Sequence, residues 1–205
     1  MSLKLAEVFF ILAGLAVIQN LFRFVGFRSR LVYLSIAQIS YSALIYIRQP
    51  MFGFSPHLKG FIPFALLFAF TMILGKFLGA KAANVNIKPS TTNMLTLGLL
   101  LPVSEELLFR GAILTLYPNA FVNGLIFSAI HLFNVVSGFE PFSYYNMIYR
   151  LAAGFIFADS TLKTGSLFSA TVCHILNNCL GILLPWFEHE SEKRRHDAGR
   201  EKDKQ

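Results

Sequence analysis

The chain has 205 residues, 55% of them hydrophobic and 14% charged, with a formal net charge of +7 and a mean hydropathy of +0.56. That is too apolar for an ordinary water-soluble domain and marks an integral membrane protein. Residues 188–205 hold six acids and six bases, so the whole positive surplus belongs to residues 1–187. In an apolar body, surplus Lys and Arg mark cytoplasmic loops and anionic headgroups, which argues against nucleic acid as a partner.

Crossing a hydrocarbon core about 30 Å thick takes about 20 mostly apolar residues in helix, and a backbone in lipid must satisfy its own hydrogen bonds. Spans are predicted near residues 5–25, 31–47, 60–80, 92–117, 119–137, 142–162 and 165–187. The second is short, and Pro102 interrupts the fourth. The first apolar run, residues 8–18, has signal-peptide length, yet it continues to Gly26 without a small-x-small cleavage site and reads as a retained span. The expected architecture is all-α: a polytopic transmembrane helical bundle of about seven spans with a polar intramembrane cavity. Residues 1–187 form one membrane domain, and residues 188–205, too charged to bury an apolar face, form a solvated tail.

Bases follow the first span at Arg23, Arg28 and Arg30, follow the third at Lys76, Lys81 and Lys88, and recur in the tail. Those segments are expected on the cytoplasmic side, with the N-terminus outside. Gly98, Gly111, Gly124, Gly154 and Gly165 allow close helix approach, without indicating which helices meet. The 22 Phe residues read as lipid-facing or packing groups rather than as a groove for a lipid.

Cys173 and Cys179 share one apolar helical stretch and suggest small buried hydrophobes, not a disulfide framework. No C-x-x-C, Gly-rich phosphate loop, G-x-S-x-G or H-E-x-x-H occurs, which removes thioredoxin-like, nucleotide-loop, serine-hydrolase and zincin chemistry at the motif level.

The body contains only five acids, and two of them, Glu105 and Glu106, are adjacent inside the apolar run 94–116. An ionisable group at such a position costs about 2.5–3.5 kcal/mol on insertion scales, so the pair is the first functional candidate. Glu106 and Arg110 stand at i, i+4 with the acid first and share a helix face. Glu105 is turned about 100° away, uncompensated by Arg110, as a candidate general base. The competing structural reading makes all three one buried network that pins helices together. Phe127 and His131 share a face of the next apolar helix, and His174 and Asn178 share a face of the last. Three helices thus offer polar groups for a common cavity suited to activating water. Glu105 would take the proton, His131 would help hold the water, and His174 with Asn178 would donate to an amide oxyanion. A zinc site on Glu105, His131 and His174 is the chemical alternative.

At these residues the sequence resembles the CPBP family, which comprises the CAAX prenyl endopeptidases of the Rce type and the bacterial Abi, CAAX-protease-like proteins. E-E-x-x-x-R is met by Glu105, Glu106 and Arg110, F-x-x-x-H by Phe127 and His131, and H-x-x-x-N by His174 and Asn178. The last follows a familiar Thr164-Gly165-Ser166-Leu167 opening. The match covers residues 100–180, while residues 1–90 match only as generic apolar spans.

The resemblance implies a glutamate-dependent, metal-independent intramembrane endopeptidase that needs no cofactor. In it Glu105 and His131 activate water, His174 and Asn178 stabilise the oxyanion, and Glu106 and Arg110 support Glu105, with Phe127 a substrate-contact candidate. The implied partner is a membrane-anchored peptide or the C-terminal region of a protein, lipidated in some family members. The expected setting is a prokaryotic cytoplasmic membrane. Two other readings stand beside proteolysis: a non-proteolytic binding or immunity protein using the same cavity, and a small proton-coupled transporter, which would be expected to show an inverted repeat that this sequence lacks.

Overall fold

A computed structural model of the protein describes residues 3–22, 24–48, 50–78, 87–136 and 140–202. Among them the chain forms seven helical segments, and the only β pairing is one isolated bridge. We label them α1 (Leu3–Leu21), α2 (Phe27–Arg48), α3 (Phe61–Leu78), α4 (residues 91–116), α5 (residues 120–136, turning at His131), α6 (Tyr144–Thr164) and α7 (Phe168–Lys202). The fold is an all-α helical bundle.

Local chemistry sets the boundaries. Ser90, Asn119 and Ser143 are N-caps whose side chains accept from the backbone N–H groups of Asn93, Val122 and Asn146, satisfying donors that a helix start leaves open. Gly165 ends α6 in the left-handed region at φ 67°, with its N–H on Thr161 O. It therefore serves as a cap and not as a packing glycine.

Three helical stretches are long and apolar enough to cross a membrane: Leu3–Leu21, Ser29–Arg48 and Phe168–Phe187. Phe61–Phe77 and Ala120–Val136 are apolar but shorter. The second span, expected to be short, is 22 residues long, because the polar start of its sequence joins the helix from Phe27. α7 runs past Pro185 to Lys202, so the charged C-terminal residues, expected as a solvated tail, extend the last helix. Of the bases expected to set orientation, Arg23 and Lys81 lie outside the described residues, as do residues 203–205. Large apolar side chains such as Phe10, Ile62, Phe70 and Phe77 stand exposed on α1 and α3, as a lipid solvent requires.

α4 runs through the middle of the bundle, packed between α2 and α7. It is not a uniform α-helix. Wide π turns at Met94–Leu100 and Leu107–Ile113 flank an α stretch, Leu101–Glu106, that carries both glutamates. On the α2 side the Ser42 and Ser104 hydroxyls are 3.2 Å apart. α5 and α6 meet backbone to backbone: a Cβ on Gly124 would lie 2.8 Å from Phe155 N, and one on Gly154 would lie 2.9 Å from Gly124 Cα. These two glycines are therefore the pair that meets.

The segment before α3 is tied to the turn between α6 and α7. Gly53 N–H donates to Gly165 O (3.0 Å) and Leu167 N–H to Gly53 O (2.8 Å), the only β bridge among the described residues. Ser166 Oγ donates to Ser55 O (2.6 Å), Ser160 Oγ to Lys59 O (2.6 Å), and Tyr46 Oη to Phe52 O. The Thr-Gly-Ser-Leu sequence is thus where an N-terminal loop docks against the C-terminal helices.

Candidate active site

Glu106 and Arg110 form the ion pair that their spacing predicts. Nη1 of Arg110 donates to Glu106 Oε1 at 2.9 Å, with both side chains 0% exposed. Two buried charges need more than each other, because removal from water costs several kcal/mol per ion. Arg110 Nη2 donates to Gly154 O (3.1 Å), a carbonyl within reach because Gly124 and Gly154 bring α5 and α6 close. The guanidinium also sits 4.4 Å from the Phe127 ring centroid and 5.4 Å from that of Phe157.

A third partner comes from α7. His174 Nδ1 lies 2.7 Å from the same Glu106 Oε1, which orients the imidazole, and its Nε2 lies 3.6 Å from Glu105 Oε2. Sequence reasoning grouped His174 with Asn178 and missed this contact. The two residues do share a face, and both turn to α4, but at different levels. Asn178 Nδ2 donates to Leu97 O at 3.0 Å, and its Oδ1 lies 3.3 Å from Asn177 Nδ2.

Glu105 faces the other way. Its side chain is 18% exposed and lines a cavity of about 430 Å³ together with His131. His131 holds its position at the turn in α5 by a 2.7 Å contact between Nδ1 and Phe127 O, which leaves Nε2 as the ring nitrogen not engaged in that bond. His174 and Asn178 are not in the cavity wall. Phe127, expected to touch substrate, is 3% exposed and lies beneath the cavity, its ring centroid 4.8 Å from His131, 5.6 Å from His174 and 5.3 Å from Phe109. Its place is in the packing that orients both imidazoles.

The rest of the cavity wall includes groups that the motifs did not reveal. Gln19 and Asn20 on α1, and Arg30 and Gln38 on α2, line it. Gln38 is 2% exposed, and its Nε2 has no protein hydrogen-bond partner. The only advance signal was their polarity within or beside apolar spans. The groups needed for zinc are not gathered as a ligand set: no cluster of three or more His, Cys, Asp or Glu arranged for a metal occurs among the described residues.

Elsewhere Glu140 and Arg150 form a two-pronged pair (2.6 and 2.7 Å), which fastens the chain before α6 to that helix. Tyr149 Oη donates to Asn177 Oδ1 (2.5 Å), joining α6 to α7.

Residues 87–180 match the family model of the type II CAAX prenyl endopeptidases, Rce1-like. That segment contains every residue of the buried network and the two cavity residues Glu105 and His131. No curated protein and no solved structure matches the chain.

Proposed function

Taking residues 87–180 as an Rce1-like domain of the CAAX membrane proteases, we propose that the protein is a glutamate-dependent intramembrane endopeptidase that cuts within the C-terminal region of a membrane-associated peptide or protein. The observation that carries this reading is the split between neighbours: Glu105 lines a cavity with His131, while Glu106 is sealed behind it against Arg110 and His174.

The chemistry is general-base hydrolysis without a metal or organic cofactor. Glu105 accepts a proton from a water held against His131 Nε2, and the resulting hydroxide attacks the amide carbon. The carbonyl oxygen becomes an oxyanion next to Glu105, and Nε2 of His174, 3.6 Å from Glu105 Oε2, faces it from behind the cavity wall. Glu106 Oε1, 2.7 Å from Nδ1 of that ring, keeps Nε2 directed towards Glu105. Collapse of the intermediate breaks the C–N bond, and Glu105 returns its proton to the leaving amine, so atoms and charge balance. Arg110 holds Glu106 and touches no reacting atom.

Arg30 puts a positive charge in the same cavity as Glu105. With Gln38 lining the same cavity, this favours a substrate that ends in a free carboxylate close to the cut bond. The bundle resides in the cytoplasmic membrane of a prokaryote, with the charged end of α7 on the cytoplasmic side.

The test is a mass-spectrometric comparison of protein and peptide C-termini in membranes from cells carrying wild type or the near-isosteric Glu105→Gln variant. Truncated products confined to wild type are expected. Identical termini in both samples, with the wild-type phenotype retained by the variant, would replace proteolysis with the binding or immunity reading.

A further inference from the structure

Pro102 has no backbone N–H, and this creates a specific vacancy in α4. In the wide turn before it, Leu101 N–H reaches back five residues to Thr96 O. The next donor in that register would belong to residue 102 and would serve Leu97 O; in an α register it would serve Gly98 O. The proline can serve neither. An unpaired carbonyl in the interior of a membrane bundle is costly, so a replacement donor is required.

Both replacements come from consecutive residues of α7. Asn178 Nδ2 donates to Leu97 O at 3.0 Å, and Cys179 Sγ lies 3.8 Å from Gly98 O. Gly98 is what allows α7 so close, since a Cβ there would sit 2.9 Å from Cys179 Sγ. One turn earlier on α7, His174 meets both glutamates, which follow Pro102 by three and four residues. The two contacts therefore bracket the proline, one on each side.

We infer that Asn178 is a positioning residue, whose carboxamide supplies the hydrogen bond that Pro102 withholds from Leu97 O and so fixes the junction between the wide turn and the α stretch Leu101–Glu106 that sets Glu105 against His174 and the cavity. This assignment rests on Glu105 being the general base and differs from a direct donor role for Asn178 at the oxyanion. A donor engaged with a backbone carbonyl on the far side of the proline acts on the reaction through the placement of residues 103–106 after that junction. Misplacement of a base by about 1 Å costs on the order of 10²-fold in rate.

The experiment is a double-mutant cycle on the full-length chain in phospholipid vesicles, with Asn178→Ala, Pro102→Ala and the double variant, and Glu105→Gln as control. Turnover is read with an internally quenched, farnesylated CAAX peptide, and folding by the thermal unfolding midpoint of the same samples. The Pro102→Ala substitution restores a backbone N–H for Leu97 O and should make Asn178 dispensable. Expected is a drop in kcat of about 10²-fold with little change in KM when Asn178→Ala is made in the wild-type chain, and a drop of less than about threefold when it is made in the Pro102→Ala variant. The unfolding midpoint should show the same rescue.

An equal loss of kcat in both backgrounds would overturn the assignment and return Asn178 to the reacting atoms. If Asn178→Ala does not accumulate, the double variant should. Its failure to do so would equally overturn it. The two readouts keep this inference apart from the protease reading: absence of Glu105-dependent cleavage in wild type would defeat the latter, while the unfolding cycle would still decide the Pro102 compensation.

Discussion

Glu105 and Glu106 are adjacent in the chain yet belong to two different kinds of environment. Behind Glu106 lies a closed polar cluster in which the fully buried Arg110, the nearly buried His174 and Gly154 O meet. In front of Glu105 lies an open cavity walled by His131, Arg30, Gln38 and apolar groups from four helices. A helix turns about 100° per residue, so neighbours can be assigned to opposite tasks. The closed cluster holds the geometry, and in the proposed reaction it is the open side that meets the water and the substrate.

The sharpest way to break that division is to attack the cluster. Arg110→Ala leaves the buried Glu106 without its guanidinium partner and removes the cation over Phe127, at a cost of about 3–5 kcal/mol. Both thermal unfolding in detergent and turnover should collapse together. A variant with wild-type stability would show the cluster to be dispensable. Glu105→Gln makes the opposite prediction: a loss of turnover of about 10²–10⁴-fold with the unfolding midpoint within a degree or two of wild type. A large fall in that midpoint would place Glu105 with the structural cluster.

Gly124→Ala tests whether the closed side depends on the contact between α5 and α6. The added methyl meets backbone atoms that cannot turn aside, and a destabilisation of about 1–3 kcal/mol is expected in chemical denaturation. Turnover should fall as well, since Gly154 O would be drawn off Arg110. The smallest effect belongs to Lys163→Ala, which removes a pair with Asp159 at 2.7 Å on the exposed end of α6. Stability should change by less than about 1 kcal/mol, and a larger change would mean that this helix end is buried in the membrane or by a partner.

Much of the candidate site is legible in the sequence, for a physical reason. Spacing along a helix is local geometry, so Glu106 with Arg110 and Phe127 with His131 follow from residue numbers and about 3.6 residues per turn. Class was readable too, because 55% hydrophobic residues cannot be hidden inside a soluble domain of this size. The motif order pointed to residues 100–180, which lie within the segment 87–180 that matches the Rce1-like family model.

Other contacts depend on how helices cross, and no periodicity encodes that. His174 and Asn178 share a face at i, i+4, but whether that face meets a carboxylate or a carbonyl depends on its height against α4. The two π stretches change that height and turn, and nothing short of a packed neighbour stabilises such wide turns. Arg30, Gln19 and Gln38 belong to helices whose sequence carries no family pattern, and they join Glu105 only because α1 and α2 pack against one side of α4. Residue types and local spacing therefore established a membrane helical protein with a glutamate pair inside one of its apolar helices. Which groups close behind one glutamate and which open before the other was settled by helix crossing, where long-range packing and the missing N–H of Pro102 act together.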